Sequence, residues 1–167
     1  MKKKKSNEFK IGEMVVYPKH GVGEITRIES LEVENIKTKF YVVQMEQDKL
    51  MIRVPLDKQV EVGLRKIASK KILGNIFYVL KLKPKIRRIM WSRRAQEYDA
   101  KIFSGDPIKI AEVIRDLFRK NNQPEQSYSE RQMFHVALER LAREVAAIEK
   151  TDYFQATEKI EHCLISK

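Results

Sequence analysis

Residues 39–54 read KFYVVQMEQDKLMIRV, two apolar runs on either side of the polar connection Glu46-Gln47-Asp48-Lys49. β-branched and aromatic residues suit a pleated strand, and a short polar connection joins antiparallel neighbours, so this stretch predicts a β-hairpin. In its second strand Leu50, Ile52 and Val54 share one face and Met51 and Arg53 the other, which sends an apolar row inward and Arg53 outward. The same strand composition runs back to Phe9. Met14 to Tyr17 form a short apolar run closed by Pro18, and Val22 to Ile28 alternate in part. Pro18 and Pro55 belong at strand ends, because neither can donate to a ladder. The expectation over residues 9–67 is a small antiparallel β-barrel.

From about Ser69 the apolar period becomes helical: Ile72, Leu73, Ile76, Phe77 and Leu80 line one face, and the pattern stops before Pro84. Asp106-Pro107 predicts an N-cap followed by Pro at the first helical position, with Ile110, Ala111, Ile114, Leu117 and Phe118 inward and Arg119 and Lys120 in the last turn. After a polar loop, Asn121 to Ser127, Ser129 and Gln132 fit a capping box with Tyr128 and Met133 as its hydrophobic staple. A long helix with Phe134, Ala137, Leu138, Leu141, Val145 and Ile148 inward follows. A last helix from about Asp152 carries Tyr153, Ala156, Ile160, Cys163 and Leu164. The fold class is therefore α+β, with a β-barrel at residues 9–67, an all-helical domain at 68–167 and a basic, disordered tail at 1–8.

Charge is unevenly placed. The 167 residues carry 34 Lys plus Arg against 23 Asp plus Glu. Residues 1–67 hold 14 basic and 10 acidic residues, residues 68–120 hold 14 and 5, and residues 121–167 hold 6 and 8. The excess sits in the middle, above all in residues 81–94, KLKPKIRRIMWSRR, with seven basic residues, no acidic one and the only tryptophan. Two readings of that distribution are open: a solvated helix face, or a polyanion site with Lys85, Arg87, Arg88, Arg93 and Arg94 as contacts. One cysteine rules out an intrachain disulfide framework and a multi-cysteine metal cluster. No stretch approaches 18 apolar residues and the Lys2 to Lys5 run is followed by Ser6, Asn7 and Glu8, so a cytoplasmic protein with no membrane span or signal peptide is expected.

Two geometries are open for Trp91. A helix running through residues 86–104 places Trp91, Ala95, Tyr98 and Ile102 on one apolar stripe, making the indole a core residue. Alternatively Ser92 is an N-cap and Trp91 lies just outside the helix, with Arg93 and Arg94 in a first turn whose dipole disfavours cations. That breach of a local rule asks for an anion, and a phosphate backbone at the helix end would place the indole beside a groove.

Phe9-Lys10-Ile11-Gly12, Val15-Val16-Tyr17-Pro18-Lys19-His20-Gly21-Val22-Gly23, Ile52-Arg53-Val54-Pro55, Trp91-Ser92-Arg93-Arg94, Ser104-Gly105-Asp106 and Ala111 to Leu117 resemble, taken together and in order, the CarD family of bacterial transcription regulators. The resemblance spans about Phe9 to Leu164. The amino-terminal part also resembles the RNA polymerase-interacting module of the transcription-repair coupling factor, without the helicase motor that follows it there. The resemblance implies a Tudor-like (SH3-like) barrel that docks on the RNA polymerase β subunit through Arg53, with Met51 and Val54 on the same strand edge. It also implies a helical domain that meets promoter DNA at the upstream edge of the bubble, with Trp91 as the wedge and Arg93 and Arg94 on the backbone. A non-enzymatic monomer with no cofactor, associated with the nucleoid through polymerase, is expected. This chain departs from some members in reading Glu29-Ser30-Leu31-Glu32 where a second polymerase-facing arginine occurs, and Gln96 where a lysine follows the tryptophan. Lys81, Lys83, Lys85, Arg87 and Arg88 are placed to supply that charge.

Two other function classes fit less well. An RNA- or ribosome-binding barrel with a helical assembly domain should show stacking aromatics beside basic residues, whereas Tyr17, Phe40 and Tyr41 read as core and residues 6–67 carry no net charge. An enzyme would need a site, yet His20, His135 and His162 have no metal-ligand spacing, Cys163 lies on an apolar stripe, and no phosphate loop or nucleophile elbow occurs.

Overall fold

The computed structural model describes residues 8–120, 123–124 and 126–166. Residues 1–7 of the tail expected at residues 1–8, and residues 121, 122 and 125 of the polar loop, lie outside the described residues. The chain divides between Ile67 and Ala68 into two compact units.

The first unit is an antiparallel sheet of β1 (Met14–Tyr17), β2 (Gly21–Val33), β3 (Ile36–Met45), β4 (Met51–Pro55) and β5 (Arg65–Lys66), in the order β4-β3-β2-β1-β5. The expected barrel is thus an open Tudor-like sheet, in which β4 and β5 form the two ends. Its inner face packs Phe9, Val15, Ile25, Tyr41, Val43, Met45, Val54 and Leu64, with Tyr17 and Ile52 partly buried against them. Phe40, expected in the core, is only half-buried and alternates onto the outer face. Leu50 is exposed and precedes β4.

Two glycines make the β1–β2 turn and its packing possible. Gly21 takes φ 87°, which an L side chain resists, while the amide of His20 closes the turn on the Tyr17 carbonyl at 3.0 Å. Gly23 lies opposite Val15 and Met45, and a Cβ there would meet Val43 Cγ1 at 2.7 Å and Met45 Sδ at 2.9 Å. The β2–β3 ladder carries a bulge between Ile25 and Arg27. The extra residue, Thr26, turns its hydroxyl to the Val42 carbonyl at 3.2 Å.

The second unit holds α1 (Lys70–Lys81), α2 (Trp91–Ile102), α3 (Pro107–Leu117), α4 (Tyr128–Glu149) and α5 (Tyr153–Ile165). Ser69, Asp106 and Asp152 cap α1, α3 and α5, each accepting a first-turn amide. Ile76, Leu80, Ile102, Ile114, Leu117, Leu141, Ile160 and Leu164 form the fully buried centre. Cys163 is buried, with its thiol 3.8 Å from the Phe77 carbonyl.

Two expectations are corrected. α3 ends at Leu117 because Phe118 turns extended, its ring meeting that of Phe134 in a tilted pair at 6.3 Å. Arg119 therefore lies beyond the helix, yet still donates to the Asp116 carbonyl at 3.2 Å. The cap of α4 is Ser127, whose Oγ accepts the Glu130 amide at 3.2 Å, rather than Ser129. Ser127 and Glu130 also have capping-box spacing and lie nearer the true helix start. Among the described residues, no helix is long and apolar enough to cross a membrane.

Gly23→Ala should destabilise the protein by about 1–3 kcal/mol, because the new methyl overpacks against Val43 and Met45. Urea denaturation followed by circular dichroism checks this.

Candidate functional site

In the helical unit the basic segment is neither helix nor free coil. α1 stops at Lys81, Leu82 turns extended and Pro84 keeps the chain out of the helix. The Lys85 amide then donates to Asp116 Oδ1 at 2.9 Å, and Arg115 Nε donates to the same oxygen at 2.9 Å. This fixes the segment while the side chains of Lys83, Lys85, Arg87 and Arg88 stay exposed. α2 begins at Trp91, capped by Met90 through its backbone alone, whose carbonyl accepts the amides of Arg93 and Arg94 at 3.1 and 3.2 Å.

Both sequence-derived geometries for Trp91 therefore need correction. The helix does not run through from residue 86, and Ser92 lies inside it rather than capping it. The apolar stripe is nevertheless real: Tyr98 and Ile102 are buried, Ala95 is half-buried and Trp91 sits half-buried at its end. Indole Nε1 donates to Ser129 Oγ at 3.2 Å. The Arg94 guanidinium stands 5.4 Å from the Trp91 ring and 5.7 Å from that of Tyr98, positions suited to cation–π attraction. One edge of the indole is thus held while part of the ring meets solvent.

The predicted cations differ in availability. Arg87 is paired with Glu97 at 2.7 Å and Arg94 is stacked on two rings. Lys81, Lys83, Lys85, Arg88 and Arg93 are exposed and form no ion pair among the described residues. Met90, 77% exposed beside Trp91, adds an apolar contact that sequence reasoning did not single out, although a Met-Trp pair between two Arg-Arg pairs is the signal for it.

In the sheet unit Arg53 and Met51 project from β4, an end strand of the sheet. Val54 does not join them. Its side chain is buried in the core, leaving only its backbone to the strand edge. Arg53 lies opposite Val42, which in turn lies opposite Arg27. Glu29 Oε2 accepts from Arg53 Nε at 2.9 Å and Glu29 Oε1 from Arg27 Nε at 2.7 Å. The hydrogen bond from Arg53, then that from Arg27, holds the Glu29 carboxyl below the ordinary carboxylate range. Arg27 and Glu29 join Arg53 on this face, a grouping that the sequence does not signal because the bulge at Thr26 resets the strand's alternation. Leu31, Val33 and Ile36 continue this face toward the hairpin end, all exposed.

The family description "CarD-like/TRCF RID domain" matches residues 9–68 and "CarD, C-terminal domain" matches residues 75–161. The chain belongs to the CarD family. Its relatives include the Bacillus subtilis protein YdeB, which carries the name of a transcription factor and is 31% identical over 140 residues, covering 84% of this chain and 92% of YdeB. The 72-residue amino-terminal domain of Myxococcus xanthus CarD, solved in solution, is 34% identical across 35% of this chain and 79% of that one, with a TM-score of 0.31. CdnLNt from Myxococcus xanthus is 41% identical across 38% and 89%, with a TM-score of 0.33. As a CarD-like transcription factor, the chain carries an amino-terminal domain of the RNA polymerase-interacting type, and it is on this domain that Arg53, Glu29 and Arg27 cluster.

Ser129→Ala should leave the α4 cap intact but remove the acceptor of the indole. Faster exchange of the Trp91 Nε1 proton by NMR is expected, and an unchanged indole signal would refute the contact. Arg53→Ala should raise the Glu29 midpoint toward the ordinary carboxylate value, read by carbon-13 NMR. Since the Glu29 value is lowered in the folded state, its stabilising contribution exists above the ordinary value and fades as pH falls through the lowered one.

Proposed function

We propose that this chain regulates transcription by binding the RNA polymerase β subunit through β4 and the outer sheet face, and promoter DNA at the upstream edge of the bubble through residues 83–94. The observation that carries the reading is Trp91, half-exposed at the first position of α2, anchored by Ser129 and flanked by exposed cations. On the polymerase side, Arg53 is held in place by Glu29 and Met51 is exposed on an end strand that can accept a further strand. On the DNA side, Lys83, Lys85, Arg88 and Arg93 meet phosphates and position the indole against a base step near the opening duplex.

The two contacts reinforce each other. A tether to polymerase raises the local concentration of the DNA-binding unit, so neither contact needs to be tight alone. The wedge responds to distortion rather than to base edges, so sequence preference is weak. Holding the opened duplex slows bubble collapse, which raises output where opening limits initiation and lowers it where escape does. The protein acts without chemistry of its own, as a monomer in the bacterial cytoplasm.

The test is the lifetime of open complexes formed by purified bacterial RNA polymerase holoenzyme. The wild-type protein should lengthen it several-fold, and Trp91→Ala and Arg53→Glu should each abolish most of that gain; no gain with folded wild type would overturn the reading. Five unpaired cations in residues 81–94 should give DNA binding a logarithmic salt slope of at most about −4 to −5. Measuring affinity across a salt series checks this.

A further inference from the structure

Between α2 and α3, beneath Lys85 and Arg87, lies a cavity of about 340 Å³. α2 lines it with Arg94, Glu97, Tyr98 and Lys101, which share one helical face by their spacing, and α3 lines it with Glu112, Arg115 and Asp116. Its volume falls at the lower end of small-molecule pockets, about 300–1,000 Å³.

Each carboxylate in its wall is already occupied. Glu97 takes Arg87 at 2.7 Å, Glu112 takes Lys101 at 2.8 Å, and Asp116 takes Arg115 Nε and the Lys85 amide, both at 2.9 Å. Two cations remain without a carboxylate. The Lys85 ammonium has no partner among the described residues. Arg94 has a buried Nε with no hydrogen-bond partner, and its Nη2 reaches only the Tyr98 hydroxyl at 3.4 Å. Five cations facing three neutralised carboxylates leave the cavity positive by two. An unmatched buried donor in such a wall is costly until an acceptor arrives.

We propose that this cavity is a phosphate-binding pocket, engaging a phosphate group through Arg94 and Lys85, and that its occupancy is coupled to Trp91 through Arg94. A guanidinium fork and an ammonium point charge together suit phosphate oxygens. The group can come from the DNA backbone or from a free pyrophosphate-bearing molecule such as a nucleotide. Because Arg94 also stands over the Trp91 ring, a ligand that draws on the guanidinium changes the indole's surroundings.

Trp91 is the only tryptophan, so its fluorescence is a built-in reporter. The full-length protein is titrated with sodium pyrophosphate at ionic strength held constant with sodium chloride. A saturable change is expected, weakened about five- to tenfold by Lys85→Ala. That variant keeps the backbone amide bonded to Asp116, and circular dichroism verifies its fold. Lys71→Ala, at an exposed position of α1 outside the cavity, should bind pyrophosphate as the wild type does. The phosphorus-31 NMR linewidth of pyrophosphate then identifies the source. Displacement by a short DNA duplex assigns the site to backbone phosphate, and persistence of the bound ion alongside duplex assigns it to a free ligand. No saturable response, or an equal response in Lys85→Ala, overturns the pocket whether or not the protein prolongs open complexes.

Discussion

Asp116 is the constraint on which the helical unit depends. One of its oxygens holds both the Lys85 amide and Arg115 Nε, with the Arg115 and Asp116 side chains only 5% and 4% exposed. Removing the carboxylate would leave a buried guanidinium unpaired, a loss on the order of 3–5 kcal/mol. It would also release the backbone of a segment that Pro84 keeps out of the helix. The consequences run forward along the chain. With residue 85 fixed, α2 starts at Trp91, the indole reaches Ser129 on α4, and Arg94 falls over two aromatic rings. A basic segment in free coil would place the same charges, but it would not aim the tryptophan.

The sheet unit has a comparable device in the bulge at Thr26. One inserted residue shifts the alternation of β2, so Arg27 and Glu29 share the outer face with Arg53 while Ile25 stays in the core. An acidic residue between two arginines restrains both side chains before any partner arrives, which lowers the entropy lost on docking. Both arginines are about half-exposed to solvent, so this ordering, rather than stability, is the main effect of the cluster.

Much of this was legible in the sequence because periodicity and cap chemistry are local. The hairpin at residues 39–54, the Asp106-Pro107 helix start and the apolar stripe through Tyr98 and Ile102 follow from spacing alone. What was not legible depends on tertiary partners. Ser127 and Ser129 are equally good caps in isolation; docking against the Trp91 indole gives Ser129 a different task. Val54 sits on the inner face by the same alternation that sends Arg53 outward, so carrying over the whole strand edge as a contact surface conflicted with the strand's own period. The β2–β3 ribbon turns at Glu34-Asn35, both at positive φ, a turn that Asn favours and Glu does not signal. The bulge likewise leaves no mark in the sequence beyond an imperfect alternation.

The start of α2 remains locally unfavourable, and the two arginines meet that cost differently. Each cation in a first turn opposes the helix dipole by about 0.3–1 kcal/mol. Arg94 recovers a similar amount, about 0.5–1 kcal/mol, from the faces of Trp91 and Tyr98. Arg93 has no such offset among the described residues. α2 also lacks an acidic first-turn residue and any side-chain cap, so nothing within the helix compensates for it. The helix end is therefore stable only by virtue of the packing behind it, and an anion brought to Arg93 and the uncapped amides improves it. A sequence selected for stability alone would place Asp or Ser before Trp91 and Glu at position 93. Keeping Met90 and Arg93 there preserves an apolar step and a positive charge on either side of the indole, the combination that the proposed DNA contact would use.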